Sequence, residues 1–545
     1  MGTFWRTVRH LRAKQVWGRL WFRLHRPTPD LRAAPPTKPQ QGPWHGAALR
    51  AASMLGPRRF VFLNVEHDLA AGGWDDPAME RLWRYNLHYF DDLNAAGSQA
   101  RAAWHQSLVT SWVAENPPGR GTGWEPYPTS LRIVNWIKWF AAGQVPQPAW
   151  LDSLATQVRW LSGRLEWHLL GNHLFVNAKA LVAAGLYFDG PEADAWLARG
   201  LEILARELPE QILPDGGQFE RSPMYHALAL EDLLDMINLA QALTPSGSEP
   251  PAWLEPFRIS STRMLHWLRC MCHGNGELGL FNDCADGIAP PLAELERLAA
   301  ALHVRAAAPA HGLTYLPDSG YVSLRQGAAL LLADLAPLGP DYLVGHAHAD
   351  TLAFELSLGP DRVVMNGGTS CYGLSAQRLA ERGTAAHSTV TLAGQDSSEV
   401  WSGFRVGRRA RPVEHWLGDA QFSCAHDGYS HLAGSPQHRR TWRMSDGELM
   451  VEDEVSGGTH EAIARYPLAP GLALRPLADG GFEVRRGPLT LATVHITAGQ
   501  SQVVSSSHAQ RFGLVVPNQT LTVNLTNGRA ATRWRWKPDA HPVSH

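Results

Sequence analysis

Long apolar runs are missing from this 545-residue chain. No stretch approaches the roughly 18 consecutive apolar residues of a membrane span, which argues against a helical membrane protein. Net charge is also lacking. With 49 Lys and Arg against 51 Asp and Glu the formal charge is −2, so no whole-chain field gathers nucleic acid, and any pull on an anion has to come from a local cluster. Cysteine is scarce, odd in number and scattered (Cys270, Cys272, Cys284, Cys371, Cys424), which argues against a disulfide framework. A metal knot of Cys270, Cys272, His273 and Cys284 lacks a second cysteine pair, so free buried thiols are the better reading. A secretory h-region is not seen either. Residues 1–26 carry Arg6, Arg9, Arg12, Lys14, Arg19, Arg23 and Arg26 with no uninterrupted apolar core, and the expected location is cytoplasmic or peripheral to an inner membrane.

Among the residues present, the 22 Trp stand out against 16 Phe and 11 Tyr. Trp offers a flat apolar face with one donor, which suits stacking on sugar rings and fills helical cores equally well. Near the start, Trp5, Leu11, Trp17, Leu20, Trp21 and Leu24 recur at helical spacing among the basic residues. This is a basic amphipathic helix, for which docking on the chain's own body is the first expectation and peripheral contact with an anionic membrane the second.

A chain of this length exceeds one core, and 44% apolar with 18% charged residues suits an ordinary globular protein. Three segments follow. Residues 1–50 hold the basic helix and a connector rich in proline (Pro27, Pro29, Pro35, Pro36, Pro39, Pro43). Residues 51–310 read as helical, with apolar faces such as Leu151, Leu154, Val158, Leu161 and Leu165. Stacked antiparallel helix pairs of this kind predict an α/α toroid or solenoid. Residues 311–545 turn to short alternating or β-branched runs (Tyr321–Arg325, Thr351–Leu358, Thr389–Leu392, Leu489–Ile496, Leu521–Leu525) between Gly-rich turns. These predict an antiparallel β-sandwich, and so an α+β multidomain chain.

Chemistry-bearing residues cluster in three places. The run Gly345-His346-Ala347-His348-Ala349-Asp350 lies where the second texture takes over. If it is extended, the two imidazoles share one face roughly 7 Å apart, so that one can move a proton while the other is held by a partner. A polar loop entering a strand is the plain alternative. Gly171-Asn172-His173 lies between two helical patterns, where Asn172 could equally be an N-cap. In Asp215–His226, Ser222 and Pro223 read as N-cap and first residue of a helix, which puts Tyr225 in its first turn.

Taken in order, Trp124–Trp136 with Arg132, then Gly-Asn-His, then DGGQFERSPMYH, then GHAHAD, then Ala386-His387-Ser388-Thr389-Val390 resemble the heparinase II/III family of polysaccharide lyases and the related alginate lyases. The likeness runs from about 80 to 410. It implies an α/α toroid followed by an antiparallel β-sandwich, and β-elimination from a uronic acid. There a neutral donor masks the carboxylate, a base takes the C5 proton and an acid protonates the departing oxygen. Carried over by motif, Asn172 and His173 would mask the carboxylate. Tyr225 would be the proton donor, doubling as base in a syn elimination, and His346 the base for the other face or an orienting group. Trp124, Tyr127, Glu220, His226 and Arg382 would contact an anionic polysaccharide. Zinc-binding members use residues matching His348 and His387, with Asn366 standing where an Asp is expected. That implies either one structural zinc or a hydrogen-bonded cluster that holds the loop.

Two rivals stay open. A glycoside hydrolase on the same fold would use two carboxylates among Asp215, Glu220 and Asp350, leaving the Asn-His and Tyr elements without a task. A non-catalytic polysaccharide-binding or assembly protein would suit the lack of a visible secretion signal. The leading expectation is a lyase for a bacterial exopolysaccharide or capsule polymer. The polymer, endo or exo action and the oligomeric state are not legible.

Overall fold

The computed structural model describes residues 2–244 and 249–538. Helices occupy the first part up to Leu292–Ala301, and the strands of the second begin at Gly312–Leu316. The architecture is an α/α toroid followed by antiparallel β-sheets. None of the described helices is long and apolar enough to cross a membrane.

The helix Gly171–Tyr187 is the hub of the toroid, packing against Pro126–Ala141, Pro191–Gln211 and Pro223–Leu243. Its apolar residues therefore run all round it, as a fully enclosed helix requires. Two glycines let it approach its successor. A Cβ on Gly185 would lie 2.6 Å from Leu197, and one on Gly200 would lie 2.8 Å from the Ala178 carbonyl. Buried charges here share one network: Asp235 accepts from Lys138 at 2.8 Å and Lys179 at 2.7 Å, and Lys179 also reaches Asp232 at 2.7 Å. One carboxylate thereby ties three helices together.

The β part holds a five-stranded antiparallel meander (Gly312–Leu316 through Asp361–Val364), a four-stranded sheet and an eight-stranded sheet. In the eight-stranded sheet, the strands Gln437–Ser445 and Glu448–Ser456 alternate buried and outward residues, as one packed face demands. The meander differs. Phe354–Leu358 is buried on both faces, and the polar alternates Glu355 and Ser357 are enclosed. Glu355 is paired with Arg362 at 2.7 Å and with His273 of the helical half at 2.7 Å. The alternation read from the sequence is thus a seam between the two halves rather than a solvent face.

Two further expectations need correction. The amphipathic N-terminal helix is broken into Thr3–Val8 and Ala13–Leu24. It does dock on the body, with Gln15 buried and donating to the Tyr342 carbonyl at 3.2 Å and the Phe22 ring 4.2 Å from that of His168, while its Trp residues stay exposed. And the His346–Asp350 run is a turn and loop, not a strand.

Asp235→Ala leaves two buried ammonium groups short of their shared carboxylate. We expect a loss of about 3–5 kcal/mol of stability, measured by chemical denaturation of the full chain.

Candidate active site

A cleft of about 2350 Å³ runs between the two halves. The helical half supplies Tyr127, Asn172, His173, Glu220 and Tyr225 to its wall, and the β half supplies His346, Tyr372 and Phe404. Their placement is set by backbone that few residues adopt willingly. Leu170, Arg221 and Asn282 have φ of 62°, 61° and 56°, each costing on the order of 1–3 kcal/mol. They immediately precede Gly171-Asn172, Ser222 and Asp283. Arg221 is held there by its carbonyl, which accepts from Asn282 at 3.0 Å and Tyr321 at 2.7 Å.

Gly171 opens its helix at φ 54°, and a Cβ there would lie 2.4 Å from Leu343 of the β half. Asn172 and His173 follow in the first turn, where backbone N–H groups have no intrahelical partner and the dipole favours an anion. His173 contacts Glu166 at 3.1 Å and lies 4.6 Å, centroid to centroid, from Tyr127. Burial opposes its charge, but Glu166 outweighs burial and raises its pKa above the ordinary histidine value. On the next wall Ser222 caps the helix Pro223–Leu243, accepting from the Tyr225 N–H at 3.2 Å. The Tyr225 hydroxyl lies 2.9 Å from that of Tyr372, and its ring lies 4.1 Å from His346. Burial pushes the Tyr225 and Tyr372 hydroxyls well above their ordinary pKa, so both keep their protons.

The centre of the arrangement is Asp283. Its Oδ2 contacts His346 Nδ1 at 2.8 Å, and its Oδ1 contacts His348 Nε2 at 2.8 Å. Arg378 grips both oxygens, with Nη2 at 2.7 Å from Oδ2. Burial works against this carboxylate, but Arg378 and the two imidazoles prevail and hold it well below the usual range. It stays charged, so His346 donates its Nδ1–H and turns Nε2 to the cleft. Glu220 lies 3.9 Å from that nitrogen, outside hydrogen-bond reach. Burial pushes His348 down to about 4 and lowers His387 too. With both rings neutral and His348 Nε2–H given to Asp283, His348 Nδ1 is left to accept from His387 Nε2–H at 3.2 Å.

The metal donors inferred by motif do not make a zinc site. Only the two imidazole nitrogens face each other, since Asn366 Oδ1 already accepts from the Ser388 N–H at 3.1 Å. Among the described residues, no three or more His, Cys, Asp or Glu are grouped to hold a metal. Structural zinc takes four donors; of this set His348 and His387 are hydrogen-bonded to each other, while Asn366 bonds to Ser388 and Glu355 instead.

Three expected substrate contacts are corrected. Trp124 borders the cleft but is only 3% exposed, packed on Trp112 and Trp160 with its indole N–H given to the Asn116 carbonyl. His226 is enclosed against Trp267, and both ring nitrogens are spent on the backbone of Gln218 and Met264. Arg382 is fully buried and donates to the carbonyls of Ala347, Ser402 and Arg405. It braces the histidine loop instead of binding carboxylates. The sequence reading missed Asp283, Tyr372 and Glu166, which stand in no motif; only the Asn-Asp pair at 282–283 marks Asp283 at all.

The model of the heparinase II/III N-terminus matches residues 84–288, and that of the heparinase II/III-like C-terminal region matches residues 308–537. FtsZ-localized protein C of Caulobacter vibrioides is 26% identical over 98% of this chain and 96% of its own. A heparin-sulfate lyase of Bacteroides stercoris is 30% identical, over 35% of this chain and 34% of its own. A crystal structure of heparinase III superposes with a TM-score of 0.63 at 17% identity, covering 83% of this chain and 78% of that one, which is a likeness of fold.

Asp283→Asn removes the charge that orients His346 and balances Arg378. We expect turnover of a confirmed substrate to fall by roughly 10²–10⁴, measured as initial rates on protein whose folding is checked by circular dichroism.

Proposed function

The chain belongs to the heparinase II/III-like family of polysaccharide lyases, and from that premise we propose that it cleaves a uronic-acid-containing polysaccharide by β-elimination, a bacterial exopolysaccharide or capsule polymer being the substrate class. One observation carries the reading: Tyr225 and His346, from different halves, lie 4.1 Å apart, ring centroid to ring centroid, on the wall of the cleft that also displays Asn172 and His173.

Each residue then has a task. The uronate carboxylate docks at the start of the helix Gly171–Tyr187, where the Asn172 amide and the His173 imidazole donate to it. This masks its charge and stabilises the enolate that forms as C5 loses its proton. His346 Nε2 takes that proton, and Asp283 stabilises the imidazolium produced. Tyr225 gives its proton to the glycosidic oxygen at C4 as the C4–O bond breaks, leaving a 4,5 double bond. A sugar ring held between base and acid needs roughly 7 Å, two van der Waals contacts. At 4.1 Å the two rings leave no such gap, so both approach from one side, which favours syn elimination.

The hydrolase alternative loses support. Asp215 is occupied by Ser319 and the backbone at 318–319, and Asp350 is buried and accepts from the Asn282 N–H. Of the three candidate carboxylates only Glu220 lines the cleft.

A panel of uronate polymers incubated with the full chain should include one that gains the ultraviolet absorbance of a conjugated unsaturated end. Tyr225→Phe should lower that rate by about two orders of magnitude or more while binding and melting temperature persist. An unchanged rate would sink the assignment of Tyr225.

The match over 96% of FtsZ-localized protein C favours a second, compatible reading: the chain works where FtsZ gathers, trimming or holding polymer there. A fluorescent fusion expressed with a bacterial FtsZ should concentrate with it at mid-cell; an even distribution would discard this.

A further inference from the structure

Outside the N-terminal helices most Trp side chains are buried, Trp416 at 51% being exposed. Trp112, Trp136, Trp150, Trp267, Trp442 and Trp534 are fully enclosed. The N-terminal helices break that rule: Trp17 is 70% and Trp21 63% exposed, and Phe4, Trp5, Leu20 and Leu24 are exposed beside them. A helix docked on a soluble body normally turns its apolar stripe inward. Here the order is inverted, and firmly so. Arg6 Nε reaches Glu399 at 2.9 Å, Arg12 pairs with Glu210 at 2.6 Å and covers the Tyr342 ring at 3.6 Å, and Lys14 covers Trp167 at 3.7 Å. Arg164 donates to the Phe22 carbonyl at 2.8 Å. The docked side, which includes the Phe22 ring at 4.2 Å from that of His168, is fixed to both halves of the protein, and the Trp stripe is left facing outward.

We propose that this stripe is a docking surface for an anionic lipid bilayer. Charge selects that occupant. Residues 2–29 contain no Asp or Glu, and after the docked cations are accounted for, Arg9, Arg19, Arg23 and Arg26 are exposed with no ion pair among the described residues. Trp rings flanked by Arg are suited to the headgroup boundary, where the ring is half buried and the guanidinium meets phosphate. Phe4, Leu20 and Arg23 also border the cleft, so a seated stripe would hold the cleft's rim beside the bilayer. The proposal does not depend on the lyase reading.

The test is co-sedimentation of the full chain with phosphatidylcholine vesicles, with and without phosphatidylglycerol. Binding is expected with phosphatidylglycerol and should weaken as salt rises. The double variant Trp17→Glu/Trp21→Glu should lose affinity by about tenfold or more with an unchanged melting temperature, since both side chains are exposed. Three results would overturn the proposal. One is a parent that stays in the supernatant with both vesicle types. Another is a double variant that binds as well as the parent. The third is a dimer in sedimentation velocity that the double variant abolishes, which would make a second copy the occupant.

Discussion

The Asp283 carboxylate is the interaction on which the rest of the site depends. It comes from a loop of the helical half, yet every side chain that grips it at close range belongs to the β half: His346, His348 and Arg378. A buried carboxylate is costly unless its charge is balanced and its lone pairs are filled. Here both oxygens are filled by charge-assisted donors. The same contacts that balance the charge also fix the relative position of the halves and the orientation of His346, so fold and chemistry cannot be separated at this residue.

Other buried polar groups extend the arrangement outward. Behind the histidine loop, Arg440 grips Asp453 at 2.7 and 3.0 Å while donating to the carbonyls of Leu352 and Ser388. The eight-stranded sheet is thereby joined to the segments that bear His348 and His387. At the interdomain seam, Glu355 joins Arg362 to His273. Arg382 secures the Ala347 carbonyl between the two histidines. A loop this well fastened loses little on becoming ordered around substrate, which is the physical content of preorganisation. The strained backbone at Leu170, Arg221 and Asn282 belongs to the same scheme, because strain persists only where surrounding contacts over-determine it.

Much of this was legible in the residues. Period-3.6 apolar faces separated the helical half from the alternating strands. Ser222-Pro223 placed a helix start and so set Tyr225 at a helix end facing the cleft. The inferences that failed did so for one recurring reason: a residue type names what a side chain can do, not whether it is exposed to do it. Trp124, His226 and Arg382 have the chemistry of sugar, proton and carboxylate contacts, but packing has spent their rings and donors on the interior.

The sequence by itself therefore determined the class of each half, the helix that presents Tyr225 and the pair of histidines that brings an imidazole to the cleft. These follow from local periodicity, capping and short motifs, which act over a few residues. Only the tertiary structure decided which imidazole faces the cleft, which carboxylate orients it, and that Tyr372 stands beside Tyr225. Asp283 lies 63 residues from His346, and Tyr372 lies 147 from Tyr225. No local pattern encodes a contact across such separations; it exists only once the two halves have packed and a shared buried charge has fixed how they meet.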